Sequence, residues 1–534
     1  MAVRLNPDRT VTEIFQRGLV RDMPPHVQPT GSVYDVGDFL FDRPGVAYKR
    51  GGTSAHSAAM GSATGCRTIA IIDPPDRIIC VADDHNLYDV TSESAPGAVS
   101  IGSVGFLTSE NPAYYNGKVI LTDDNAQFSG LGVSPKKVEW IDPNIVLSNL
   151  GGSPPVAFRS CVHVSRIVLG RNFTNPNRIW FSPLPFAEST AWDLTQAYID
   201  TTWEITGLAS TQGVLLVFSS KAIERILGDI PPGTGVTDVN MQLQPLANVG
   251  CSDARSIVHL DSGVVFANPS GVYVTNSASV QSLTEKADGS GISSFWRGLF
   301  SSSNPRGIAC GLMGRDYLKV DVFDPSTFNP IQSLLCYLPT VTWTILTNIN
   351  GVGYATGNSV NNMPVSELYC AQGKIAKTIR LSSILKPIPE NKLDADGKAV
   401  LPMLQTRVLE GTPWHKSWGH GSITLDLRDA DVDQPVMNVE VFYGIDGFTG
   451  RTADGSPIAE TSNTVRLVSG HVFPRGGALR REIKINHDTT GVMLRLFQSN
   501  PSAQTIIYSI DLDVRDYNTG AQRLMGFPGA NQFG

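Results

Sequence analysis

Between Gly65 and Lys386 one event recurs along the chain. An apolar run of three to five residues meets a polar turn, and a second apolar run returns. RIICVADDHNLYDV, KVILTDDNAQFSGL, RIVLGRNFTNPNRIWFS, VLLVFSSKAIERIL, GVVFANPSGVYVTN, DYLKVDVFD and ELYCAQGKIAKTI are the instances. Each reads as a β-hairpin, with Val, Ile, Tyr and Phe in the strands and Asp, Asn, Gly and Ser in the turns. Their first strong apolar residues are Ile78, Val119, Ile167, Val214, Val264, Tyr317 and Leu368, spaced by 41 to 53 residues. A period of roughly 40 to 50 residues with several short strands per unit predicts a β-propeller. A four-stranded blade cannot hide both faces alone, and closing a ring lets every blade pack on two neighbours. An ordinary sandwich repeats its strands at about 8 to 12 residues without the longer period.

The expected fold is therefore all-β: a propeller over residues 56–390, with seven blades favoured and six the alternative, followed by a second unit. KPIPENKLDADGKAVLP, rich in Pro, Lys, Asp and Glu, marks a linker that ends the propeller, with residues 391–402 as its body. Residues 403–534 carry the strands GSITLDLRD, VMNVEVFYG, NTVRLVSG, LRREIKIN, GVMLRLFQS and TIIYSIDLDVRDY. In the last, Ile510, Leu512 and Val514 alternate with Asp511, Asp513 and Arg515, the pattern of an antiparallel β-sandwich with one wet face per sheet. The tail GAQRLMGFPGANQFG reads as irregular. Residues 1–55 show no sustained period and several prolines. They are expected to form an extended N-terminal arm that orders only against another subunit, with a short helix at TVTEIFQRG capped by Thr10 or Thr12.

Charged residues make up 17 % of the chain, against about 25 % in ordinary globular domains. Two readings fit: a surface covered in an assembly, or a β-protein surface rich in Gly, Ser, Thr and Asn. The net charge is −7 and no Lys/Arg block occurs, which argues against binding nucleic acid by phosphate neutralisation. No apolar run approaches the roughly 18 residues of a membrane span, and MAVRLNPDRTVTEIF has no apolar signal region. The seven cysteines (Cys66, Cys80, Cys161, Cys251, Cys310, Cys336 and Cys370) form no C-x-x-C pair and sit mostly in apolar runs. They read as reduced core residues made in a cytoplasm.

The search for chemistry yields no catalytic, cofactor or metal residue, and the chain is read as a non-enzyme. G-x-S-x-G, H-E-x-x-H and P-loop patterns are absent, and GVGYATG at Gly351 has the wrong spacing for a dinucleotide loop and falls between blades. Asp83 with Asp84, Asp123 with Asp124, and the run Asp429, Asp431, Asp433 could supply carboxylates for calcium or glycoside hydrolysis. The first two pairs fall at blade turns, where Asp is favoured for turn chemistry alone. In WHKSWGHGS, His415 and His420 could bind a metal and Trp414 and Trp418 could stack on a sugar, against the plainer reading of a packed connection between the two units. Asn172-Phe-Thr matches a glycosylation sequon by chance. The turn PSG is expected to place Gly271 at a hairpin turn needing positive φ, with Val272 and Tyr273 inside a blade interface.

Several stretches resemble the propeller proteins of bacteriophage tails, the tubular nozzle and minor tail proteins. DVGDFLFDRPGVAYKRGG, with Arg43-Pro-Gly after an aromatic-rich strand, is similar to the family's early strand. VLLVFSSKAIERILGD, PNRIWFSPLPFAESTAWD and VGCSDARSIVHLDSGVVFANPSGVYVTN resemble its blades, the last through Gly250-Cys251, Gly263 and Gly271. The resemblance spans residues 35 to 380. It implies a structural virion protein of a phage tail, made in the host cytoplasm. Its expected partners are copies of itself in a ring that continues or closes a DNA channel, other tail proteins, DNA in transit without specific binding, and a host surface. It implies no catalytic residue and no cofactor. The alternative is a glycan-binding or glycan-degrading propeller.

Overall fold

The computed structural model describes residues 9–516 except 44, 58, 62, 64, 73–76, 92–98, 104–111, 123–138, 142–145, 185–189, 230–239, 350, 359–365, 373–377, 386–392, 395, 410–415, 429–434, 444–461, 469–478, 490 and 499–503. The repeat becomes seven blades of four antiparallel strands. Their first strands are Cys66–Ile72, Ala113–Tyr115, Arg159–His163, Ile205–Thr211, Val258–Leu260, Gly307–Met313 and Gly353–Asn358. Each packs against the next blade, and the first strand of blade seven packs against that of blade one, closing the ring. The all-β propeller with an appended sandwich is the observed fold, and the alternative of six blades is set aside by the sheet order.

Blade packing explains the near-continuous apolar runs. In blade one, Ile69, Ile71, Ile78 and Cys80 face a cluster shared with blade seven, while Ala70, Ile72, Ile79 and Val81 face blade two. A strand covered on both faces has no wet side on which to alternate. Blades three and four meet through Val168, Ile179, Leu208 and Leu215, and blades four and five through Leu216, Phe218, Val264 and Phe266. Val272 and Tyr273 lie in blade interfaces as expected: Val272 faces the cluster shared with blade six, and Tyr273 stacks on Phe266, 5.4 Å between centroids, toward blade four. Gly271 is needed for a different reason from the one expected. Its φ is not positive; a Cβ there would stand 2.6 Å from Thr284 Oγ1.

The sandwich is built from both ends of the chain. One sheet runs Leu479–Thr489, Lys416–Arg428, Gln504–Asp516, Val46–Lys49, Phe39–Arg43, with Arg9–Glu13 also on Gln504–Asp516. The other runs Ser32–Gly37, Met403–Thr406, Val492–Gln498, Pro435–Tyr443, Ser462–Val468. Ser32–Gly37 also touches the outer strand of blade six, Thr342–Ile345, through the parallel pair Gly37 and Ile345, so one ten-stranded sheet spans both units. Ile510, Leu512 and Val514 are fully buried, while Asp511 and Asp513 accept from Thr12 and Thr10.

Two expectations change here. Residues 9–55 are not an arm waiting for a subunit. Phe15, Leu19, Val33, Val36 and Phe39 are fully buried, and Ser54–Ala55 forms the outer strand of blade seven, paired with Thr378–Arg380. The segment lacks a period because it moves between sheets every few residues. The helix expected at TVTEIFQRG is a strand, since pairing Arg9–Glu13 with Ile510–Val514 satisfies its backbone over a distance in sequence that no local signal reports. The second change concerns the thiols: Cys66 and Cys80 are joined by a disulfide. Ile69 pairs with Cys80, and an irregularity between Cys66 and Thr68 brings Cys66 to the same face, a register that spacing alone does not reveal. Cys161, Cys251, Cys310, Cys336 and Cys370 are free and buried.

Candidate functional site in the propeller axis

The first strands of five blades line a cavity of about 560 Å³ on the propeller axis. Volumes of roughly 300 to 1,000 Å³ hold small organic ligands. Blade one supplies Arg67, Thr68, Ile69 and Ile71, and blade two supplies Tyr114. Arg255 and His259 come from the approach to blade five and its first strand, Cys310 to Leu312 from blade six, and Gly353 to Ala355 from blade seven. No Asp or Glu is among the described lining residues. Propeller glycosidases need acids converging on such a pocket, so the lining lends nothing to the glycan-degrading alternative.

Burial governs the chemistry of the lining. His259 is exposed to the cavity yet closely surrounded by protein, and desolvation lowers its pKa, favouring the neutral imidazole. Tyr114 is exposed to the cavity, yet its hydroxyl accepts a hydrogen bond from the Ile71 backbone N–H at 3.3 Å, and the protein packed around it raises its pKa by desolvation. The Cys310 thiol is pushed well above its ordinary value, chiefly by burial, so it is a poor nucleophile. Desolvation lowers the pKa of Arg67, opposed by Asp83 at 3.4 Å.

Tyr354 crosses the cavity wall. Its ring lies where a Cβ on Gly311 would be 2.6 Å from it, so a side chain at 311 would displace it. Its hydroxyl donates to Asp321, which is fully buried and also bound by Lys319 at 2.5 Å. Lys319 donates further to Ser333 Oγ and to the Ile349 carbonyl at 3.3 Å. Burial raises Asp321 to about 6 in spite of the Lys319 charge.

The residues singled out from sequence are dispersed. Asp84 accepts from the Asn86 backbone N–H at 3.1 Å and from the Tyr88 hydroxyl at 2.6 Å, which is turn chemistry. Asp83 stands behind Arg67 and is not part of the lining. Asp123, Asp124, Asp429, Asp431, Asp433, Trp414 and His415 lie outside the described residues. Trp418 and His420 sit on Lys416–Arg428, in register with His487 and Lys484. Among the described residues no group of three or more His, Cys, Asp or Glu could hold a metal ion. GVGYATG falls not between blades but on the first strand of blade seven.

The architecture defines a seven-bladed propeller joined to a β-sandwich. No family model and no curated protein matches the chain. Similar solved structures include U3-55K, at 10 % identity over 62 % of this chain and 99 % of that one, with a TM-score of 0.38. The WD40 repeats of RRP9 are similar at 9 % identity over 62 % and 98 %, with a TM-score of 0.39. These are WD40 repeat proteins and not tail proteins. The resemblance to bacteriophage tail proteins is corrected accordingly. The expected virion role goes with it, as do the partners it implied: copies in a ring, other tail proteins, DNA in transit and a host surface. Likenesses at this identity concern the fold alone, and these scores add nothing to what the sheet order establishes. Among the described residues no helix is long and apolar enough to cross a membrane.

Proposed function

We propose that this chain is a non-catalytic binding protein whose working site is the axial cavity, with the sandwich as a rigid support. The observation that carries the reading is the convergence of first strands from five blades on one cavity of small-molecule size. The lining offers hydrogen-bonding groups on an apolar wall of Ile69, Ile71, Ile257 and Val258, while its thiol is held protonated and its described residues include no carboxylate to act as base. Such a wall suits recognition better than bond-making. Rigidity fits as well: the sandwich shares a sheet with blade six, and the ring is closed by a strand from residues 54–55.

The test is a small-molecule panel containing neutral, anionic and cationic compounds, screened by ligand-observed NMR on the wild-type chain and on Leu312→Trp, which fills the cavity. Binders displaced in the variant, at an unchanged far-UV circular dichroism spectrum, support the reading. No binders at all, or binders indifferent to the substitution, remove it.

A further inference from the structure

Arg67 and Arg255 reach the cavity from blade one and from the turn Ala254–Ser256 that precedes blade five. They are held by one device from blade six. The Arg67 guanidinium lies 4.1 Å from the ring centroid of Phe328, and that of Arg255 lies 5.0 Å from Phe323. The two Phe rings stack on each other at 5.9 Å with 12° between their planes. Four planar groups from three parts of the ring therefore form one ladder, cation, ring, ring, cation. Each guanidinium is also tied to a carboxylate, Arg67 to Asp83 at 3.4 Å and Arg255 Nε to Asp253 at 3.0 Å. Asp253 is fixed in turn by the Ile308 backbone N–H at 3.1 Å.

Stacking and pairing remove the rotamer freedom that an arginine otherwise loses on binding a ligand, so the cations are pre-organised. A guanidinium carries five N–H donors in a planar fork and can serve a protein carboxylate and a ligand together. The described lining supplies no anion of its own to the cavity. The two cations are separated by the stacked rings, so one compact anion does not serve both.

We infer that the axial cavity binds an elongated small molecule carrying an anionic group at each end and an apolar middle, with Arg67 taking one end and Arg255 the other. This rests on the axial cavity being the working site. The apolar middle lies along the wall of Ile69, Ile257 and Val258.

The experiment is isothermal titration of the full chain with straight-chain α,ω-dicarboxylates from malonate to sebacate, with monocarboxylates and monoamides of equal length, and with α,ω-alkyl bisphosphonates. The expected result is a length optimum, at least tenfold weaker binding of the singly charged compounds, and weakening with added salt. Carboxylate and phosphonate arms at matched length tell which terminal group the site takes. Arg67→Gln and Arg255→Gln should each bring the dianion down to the affinity of the monoanion, while Arg255→Lys keeps part of it. The wild-type comparison of dianion with monoanion needs no variant to fold. Equal affinity for dianion and monoanion, or binding of neutral compounds alone, overturns the inference and leaves the cavity a binding site. A chain that binds nothing in the Leu312→Trp screen loses both.

Discussion

Two buried ionic clusters stabilise different joints of this molecule, and they are built in opposite ways. At the propeller–sandwich junction Arg50 is fully buried and spends five hydrogen bonds. Nε donates to Asp38 at 2.6 Å, and the terminal nitrogens donate to both Asp394 oxygens at 2.8 Å and to the carbonyls of Gly51 and Thr347. That one side chain ties the N-terminal segment to the passage between blades six and seven and to the stretch after the propeller. At the seam of blades six and seven, the Lys319–Asp321 pair is equally buried, yet burial pushes Asp321 up to about 6. A saturated planar cation between two carboxylates stays charged and acts as a lock. A single carboxylate held by a lysine, a tyrosine and a serine keeps a protonation change within reach of neutral pH. Buried charge alone therefore does not define a rigid joint; the count and geometry of its partners do.

The comparison can be broken in four measurements. Arg50→Leu leaves Asp38 and Asp394 buried without their cation and should cost about 3 to 5 kcal/mol in urea unfolding. A loss under 1 kcal/mol would mean that the junction is held by apolar packing instead. Lys319→Met should cost about 2 to 3 kcal/mol at pH 7.5 and less at pH 5, because a protonated Asp321 needs no cation. An equal loss at both values would place the two clusters in one class.

The third measurement is the pH dependence of unfolding in wild type and Asp321→Asn. The folded-state pKa of about 6 exceeds the unfolded value of about 3.9, so the native state binds more protons between them. Stability from this group is present in acid and is lost as pH rises through that window, by about 2 to 3 kcal/mol in all. The Asn variant should lack this component, and identical profiles would remove the titration from Asp321. The smallest effect is expected for Tyr354→Phe, about 1 kcal/mol, with the Asp321 transition moved to higher pH because the carboxylate loses a donor. A transition moved to lower pH would contradict the hydrogen bond.

The propeller was legible because the seven anchors, Ile78 to Leu368, all fall on the second strand of their blades. That strand has a neighbour on each side and a blade on each face, so its apolar run is the strongest in each repeat. Three of the first strands that line the cavity are different. AYY, VHL and GYATGN are short or polar because they edge a cavity, and their sequence carries no run to find. The site was missed for that reason, although aligning the repeats and reading one strand upstream would have brought Arg67, Tyr114 and His259 together. Residues 9–55 were illegible in another way. Phe15, Phe39 and Glu13 are fully buried, but the two Phe share their core cluster with residues such as Ile510 and Leu512, and Glu13 pairs with Arg407 at 3.0 Å. Asp22 likewise caps the helix Ser293–Leu299 from afar, accepting from the backbone N–H groups of Ser293 and Ser294.

The strand that closes blade seven has a consequence for synthesis. Ser54 pairs with Arg380, and Arg9 with Val514. A ribosome adds roughly 5 to 20 residues per second, so residues 9–55 emerge tens of seconds before the strands that receive them. Throughout that interval Phe15, Phe39 and Phe41 have no native cover, and blades one to six can form while the ring stays open. Completion therefore waits for strands made after blades one to six: a segment synthesised before the blades is seated after them.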